Sequence, residues 1–410
     1  MSNVTNQGVY VANANASLTA NNITVTGAAG NGIYQNNADG SLTATGDIVI
    51  SNVTGGHGLS TSGTVSAANI TISNVTGSTR NGLEVKSGTV EVSGTITVST
   101  AGQYGINNVA SVTANAIVID TVGGNGINNN GGTVNVTEGI TVTNVTGHGI
   151  SNNNVLNAGS VSVNNVTGSG NGIQNSGNGV MTVTGDVTIA NVAAGHGIYN
   201  AKTVSFGSYT ATNLKKNGIN NAGSFTVTGA ITVVTAGEKG IANTSTISAD
   251  SISITDTTGY GLHSKGGSTQ ANAIAVANVK NVGIYLEGNT TLKANSLMLT
   301  DIQSQGLQAQ HVNTIEIGTL TVSNIKSNGV RLYNNNSNPN VTIGTMVANN
   351  CGEYALAAQK TLTSDNLSVG ALYYVSCTKG AVHGNIKSGV TATYDYLPEE
   401  AAASSVGTEN

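Results

Sequence analysis

A parallel β-helix is the fold class this sequence predicts: an all-β, single-stranded solenoid of 17 repeats with three short strands in each. Three observations predict it. Ile140 and Val142 alternate with Thr141 and Thr143, the period of a strand with one buried face. A Gly-aliphatic pair such as Gly149-Ile150 recurs at a mean spacing near 23 residues, with steps of 21 to 26, from Gly8-Val9 to Ala381-Val382. Glycine supplies 55 of the 410 residues and proline only 2, Pro339 and Pro398, as a chain requires when almost every backbone N–H joins a ladder.

One repeat, residues 126–148, justifies the elements in order. Ile127 opens a first short strand, the run NNNGG turns, and Val134 and Val136 alternate in a second strand. Glu138-Gly139 turns again, and Ile140 to Thr143 form the third. Each strand then pairs with its counterpart one repeat on, and no single repeat buries enough surface to fold alone. At about 4.8 Å per step the stack becomes a rod on the order of 77 Å long.

The third strand ends on a break of parity. Asn144 takes the next inward place, yet Val145 after it is apolar too, so a bend belongs there. The same position holds Asn3, Asn52, Asn74, Asn144, Asn165, Asn191, Asn213, Asn278, Asn324 and Asn350. Thr100, Thr121, Thr235, Asp256, Asp301, Ser376 and Gly27 fill the other copies. The alternation predicts that these asparagines point inward and stack as a ladder, since a buried amide without partners costs about 1–3 kcal/mol and Asn191→Ala should cost as much. Triplets such as Asn52-Val53-Thr54 match the glycosylation acceptor, but an inward asparagine is shielded from it.

With that bend, the repeats over residues 3–393 resemble the right-handed parallel β-helix of pectin-lyase-like proteins, autotransporter passengers and related bacterial surface adhesins. The resemblance implies a right-handed coil and an inward asparagine ladder at a turn, and it spans enzymes, adhesins and phage tailspikes alike. The Phe-x-x-Asn element of polymorphic outer-membrane repeats has no counterpart, since the two phenylalanines are Phe206 and Phe225.

Composition narrows the function classes. Charged residues are 8% of the chain and the net charge is −5, with Arg80 and Lys86 the only cations before residue 200. Nucleic-acid binding needs clustered Lys and Arg, so it is disfavoured. No apolar run reaches the roughly 18 residues of a membrane-spanning helix. MSNVTNQGVY shows neither the basic nor the apolar region of a signal peptide. The β-helix is expected over 1–393, with 394–410, YDYLPEEAAASSVGTEN, as a tail or cap.

Several residues are candidates for chemistry. Tyr10, Tyr34, Tyr199 and Tyr285 each follow the Gly-aliphatic pair, with His263 and Arg331 on the same line; exposed aromatics on a rigid face suit sugar stacking or a protein partner. Cys351 and Cys377 lie one repeat apart and read as small buried hydrophobes or as a disulfide. His57, His148 and His196 share a turn position in repeats too far apart for one metal. Asp47, Glu138 and Asp186 are likewise scattered, giving no paired-carboxylate geometry. Outward pairs such as Thr24/Thr26 and Thr141/Thr143 resemble ice-binding ranks, interrupted by Val49, Val118, Ala275 and Met298.

The expectation is therefore a non-enzymatic, rod-shaped cell-surface or secreted structural protein of adhesin-like kind. Its partners would be its own copies stacked end to end, or a host or cell-surface protein or glycan. No catalytic residue, metal or cofactor is expected. The alternative is a carbohydrate-active lyase, hydrolase or tailspike-type β-helix, with ice binding behind it.

Overall fold

The structure, a computed structural model, describes residues 1–333, 340–358 and 367–383 and the backbone of 390–394. The regular elements among them are strands without a helix, wound as a parallel β-solenoid of about 16 turns about 23 residues apart. From residue 395 on, the expected tail lies outside the described residues. The chain divides into two compact units, 1–208 and 209–410.

In the N-terminal unit one coil shows why these residues fold so. Ile127–Asn129 forms the first strand and Thr133–Val145 the rest of the coil, broken by a register shift between Val136 and Gly139. The first strand pairs in parallel with Ile106–Asn108 before it and Ile150–Asn152 after it. Ile127, Val134, Val136, Ile140, Val142 and Val145 are all buried. Because the register puts Ile106, Ile127 and Ile150 over one another, each inward column is a stack of like side chains. The Gly-aliphatic landmark has a steric cause: a Cβ on Gly126 would overlap Val142 and come within 2.5 Å of the Gly149 carbonyl oxygen, where the turn crosses the core edge.

The C-terminal unit uses the same coil with a longer first strand, as in Leu262–Lys265, Ile284–Glu287, Leu307–Gln310 and Val330–Tyr333. Its core holds Tyr209 edge-on to Phe225, centroids 5.7 Å apart at 89°. The buried Tyr209 hydroxyl donates to the Gly218 carbonyl at 2.9 Å, and burial pushes its phenol well above the usual value.

The asparagine ladder is in the interior, but at other residues than those the alternation predicts. All seventeen bend positions adopt positive φ, from 52° at Asn3 to 73° at Gly27. At that left-handed residue the side chain swings outward, so Asn144, Asn52 and Asn191 are exposed and their equivalents exposed or half-buried, while Val145 turns in. The column selects residues that tolerate left-handed backbone, for which Asn, Asp and Gly are the natural choices. Its amides still join coil to coil at the surface, as in Asn74 Nδ2 to Asn52 Oδ1 at 2.6 Å and Asn350 Nδ2 to Asn324 Oδ1 at 2.9 Å. Burial therefore does not shield the Asn52-Val53-Thr54 triplet.

The interior ladder sits at the end of the first strand. In the N-terminal unit Asn108, Asn129, Asn152 and Asn175 each donate from Nδ2 to Oδ1 of the next asparagine at 2.8–2.9 Å, ending on Asn200. In the C-terminal unit Asn221 donates to Asn243 at 2.9 Å, and Asn243 to Thr269 Oγ1 at 3.2 Å. Each amide also serves the adjoining turn: Asn108 Oδ1 accepts from Ala110 N at 3.1 Å and its Nδ2 donates to Thr133 O at 3.1 Å. Buried amides are satisfied along the stack and across it.

Candidate functional site

The second residue of each first strand lies between two inward positions, and parallel register aligns these residues into a column on each unit. The column is exposed at Tyr10, half-buried at Tyr34, Tyr199, His263, Tyr285 and Arg331, and buried at Ser60, Glu84 and Ser151. In the N-terminal unit Tyr10 pairs with Tyr34, and Tyr199 follows Gln174. In the C-terminal unit His263 pairs with Tyr285, Tyr285 with Gln308 and Gln308 with Arg331. The six predicted residues thus occupy matching positions, but the structure brings them together only in part. Tyr10 and Tyr34 are neighbours, His263 and Tyr285 are neighbours, and Arg331 is two coils beyond Tyr285.

Two pairs of these rings stack on one another. Tyr10 and Tyr34 stack with centroids 5.4 Å apart and planes 7° apart, and His263 and Tyr285 stack at 5.1 Å and 15°. These separations are close to the coil spacing of about 4.8 Å. Each ring therefore covers one face of its neighbour along the stacking direction, while Tyr10 remains 54% exposed.

Sequence reading missed the residues that surround His263. Tyr260, from the turn before it, packs 5.1 Å from His263 and 5.3 Å from Tyr285. Lys239 Nζ, one coil earlier, lies 2.8 Å from His263 Nδ1 and 5.8 Å from the centre of the Tyr260 ring. An ammonium only donates, so Nδ1 accepts and the ring proton sits on Nε2, facing Glu287 Oε1 at 3.2 Å. Lys265 Nζ reaches the same oxygen at 3.5 Å, while Tyr285 Oη lies 3.3 Å from Glu287 Oε2 and 3.0 Å from Gln310 Oε1. Two coils on, the Arg331 guanidinium lies 4.2 Å from the centre of the Tyr333 ring.

The electrostatics follow from this packing. Burial and the Lys239 ammonium push His263 below the ordinary histidine value against the pull of Glu287, which keeps the ring neutral near pH 7. Burial raises the Glu287 carboxyl, but the hydrogen bond from His263 and the nearby cations outweigh it and hold it low. Burial first, and the Glu287 carboxylate second, push the Tyr285 phenol up to about 12. The result is a fixed polar and aromatic patch in which the cations Lys239 and Lys265 flank His263 and the Glu287 carboxylate.

Other candidates have local roles. His57 Nδ1 accepts the backbone N–H of Asn81 at 3.0 Å, and His148 Nδ1 that of Asn171 at 2.9 Å, so these histidines cap turns. Cys351 and Cys377 are free thiols. Among the described residues no group of three or more His, Cys, Asp or Glu side chains is placed to hold a metal ion. Among the described residues no helix is long and apolar enough to cross a membrane. Thr24 and Thr71 both register with Val49, which with Val118 and Met298 interrupts the outward threonine column. In the C-terminal unit an open groove of about 460 Å³ runs past Gln270, Asn272, Lys293, Asn295 and Glu316, with Lys293 and Glu316 paired at 2.7 Å.

No protein-family model, no curated protein and no solved structure matches this chain.

Proposed function

We propose that this protein is a non-enzymatic structural protein of adhesin-like kind, displayed at a cell surface or secreted, like the autotransporter passengers its repeat resembles. It engages a cell-surface protein or glycan through the outward face of its C-terminal unit. The observation that carries the reading is the patch of Lys239, Tyr260, His263, Lys265, Tyr285 and Glu287, which parallel register gathers from consecutive coils onto one outward face. Its side chains are held by one another, so the surface is preorganised and loses little side-chain entropy on binding. Edges, hydroxyls and ammonium groups face outward, a surface that suits hydrogen-bonding partners.

The test is binding of purified protein to cells and to a glycan array, with Tyr285→Ala and Lys239→Ala beside the wild type. Binding lost on the order of tenfold in both variants supports the reading, since a central interface residue contributes about 1.4 kcal/mol or more. Equal binding by wild type and variants removes the patch from the account. Incubation with a polysaccharide panel tests the enzymatic alternative, where released reducing ends or unsaturated products would overturn a non-enzymatic role.

A further inference from the structure

The column just past the bend is aliphatic in most coils, as with Val53, Val75 and Val145, yet two successive coils place cysteine there. Asn349 pairs with Val375 in parallel register, Asn350 and Ser376 both take the left-handed bend, and Thr378 N donates to Cys351 O at 2.9 Å. Cys351 and Cys377 therefore hold matching positions one coil apart. Neighbouring parallel strands lie about 4.8 Å apart, within the roughly 4.4–6.8 Å between Cα atoms that a disulfide spans. The two residues are not equivalent: Cys351 is fully buried, whereas Cys377 is half-buried.

We propose that Cys377 is a thiol-modification site: its sulfur attacks a low-molecular-weight disulfide of the glutathione class, and Cys351 resolves the adduct into a Cys351–Cys377 bond between adjacent coils. In the first step the Cys377 thiolate displaces one small thiolate and forms a mixed disulfide. In the second, Cys351 Sγ attacks Cys377 Sγ, its proton leaves with the second small thiolate, and two molecules of reduced thiol are released for one disulfide consumed. The oxidant supplies both oxidising equivalents, so no other reactant is needed. The division of labour follows from accessibility, because a small disulfide reaches the half-buried sulfur first. The neighbouring sulfurs reinforce it, the proximity of Cys351 lowering the Cys377 thiol while Cys377 and burial raise that of Cys351. Oxidation then fastens the coil ending at Cys351 to the next one, across the 26 positions that separate the two residues.

The experiment treats the full chain with oxidised glutathione at mildly alkaline pH and follows intact mass. The wild type is expected to lose two hydrogens and retain no glutathione. Cys351→Ala should stop at one glutathione adduct, and Cys377→Ala should acquire an adduct on the order of tenfold more slowly, since its remaining sulfur is buried. Ala101 and Ala236 already occupy this column in other coils, so both variants are compatible with the fold. Brief alkylation of the reduced wild type, mapped by peptide, is expected to label Cys377 before Cys351 and needs no variant. The proposal is overturned if the oxidised wild type keeps both thiols free or carries stable adducts, if the two variants react equally fast, or if Cys351 is alkylated first.

Discussion

Asn129 Nδ2 donates to Asn152 Oδ1 at 2.8 Å, one coil on, and both side chains are fully buried. Asn152 Nδ2 in turn donates to Asn175 Oδ1 at 2.9 Å and to the Asn154 carbonyl at 2.8 Å. The direction of donation is therefore fixed along the column. Asn152→Asp removes the donor and sets a carboxylate among acceptors away from water, so we expect a loss of about 3 kcal/mol or more at pH 7. Burial raises the folded-state pKa of such a carboxyl, so the penalty should shrink as pH falls through that value. Urea unfolding of the variant at pH 7 and pH 4 measures both effects.

His148 makes the N-terminal unit sensitive to acid. Burial depresses its folded-state pKa below the usual value of about 6.5, and Nδ1 can accept the Asn171 N–H only while it is unprotonated. Below pH 6.5 the unfolded chain takes up a proton that the folded chain refuses. Stability is therefore complete above about pH 6.5 and declines as pH falls from there through the depressed folded value. His57, lowered by burial and by Arg80 and Lys86 against Glu84, acts in the same sense. Asn125 and Asn171 cap equivalent turns with Oδ1, so His148→Asn should fold and show a weaker fall in thermal midpoint between pH 7.5 and pH 5.

Gly126→Ala tests the landmark glycine. The added methyl would press on Val142 and on the Gly149 carbonyl of the next coil, neither of which is free to move. We expect a destabilisation of about 1–3 kcal/mol by denaturant titration, the range for overpacking a core. A midpoint equal to wild type would mean that the turn stands clear of the Val142 side chain and the Gly149 carbonyl.

The Tyr285 phenol provides a spectroscopic readout of the patch. Burial and then the Glu287 carboxylate raise it to about 12. In a phenolate absorbance titration, Glu287→Gln should bring one tyrosine back toward the ordinary value near 10, whereas Lys293→Ala, outside the patch, should not.

The period of the coil, the buried aliphatic columns and all seventeen bends were legible in the sequence, because strand alternation and glycine landmarks are local signals. Which asparagines point inward was not read correctly. Asparagine at the bend serves the backbone conformation, a use its substitutes Asp and Gly share, whereas Thr100, Thr121 and Thr235 adopt the same left-handed φ at a steric cost. The interior ladder had its own signal: an asparagine two places after the Gly-aliphatic isoleucine, as in Ile106/Asn108, Ile127/Asn129 and Ile150/Asn152. Reading NNNGG wholly as a turn concealed it. The line through His263, Tyr285 and Arg331 was visible, but Lys239, Tyr260 and Glu287 were not, because their approach depends on how turns of unequal length place them around it.

The central claim is that the interior residue Asn152 and the bend residue Asn144 perform different work in the same coil, and paired unfolding of two variants tests it most directly. Asn152→Ala leaves its ladder neighbours without a partner and should lose about 1–3 kcal/mol. Asn144→Gly keeps the left-handed backbone, as Gly27 already does, and should stay within about 0.5 kcal/mol of wild type. The reverse order, with Asn144→Gly costly and Asn152→Ala near neutral, would place the ladder at the bend and contradict the account.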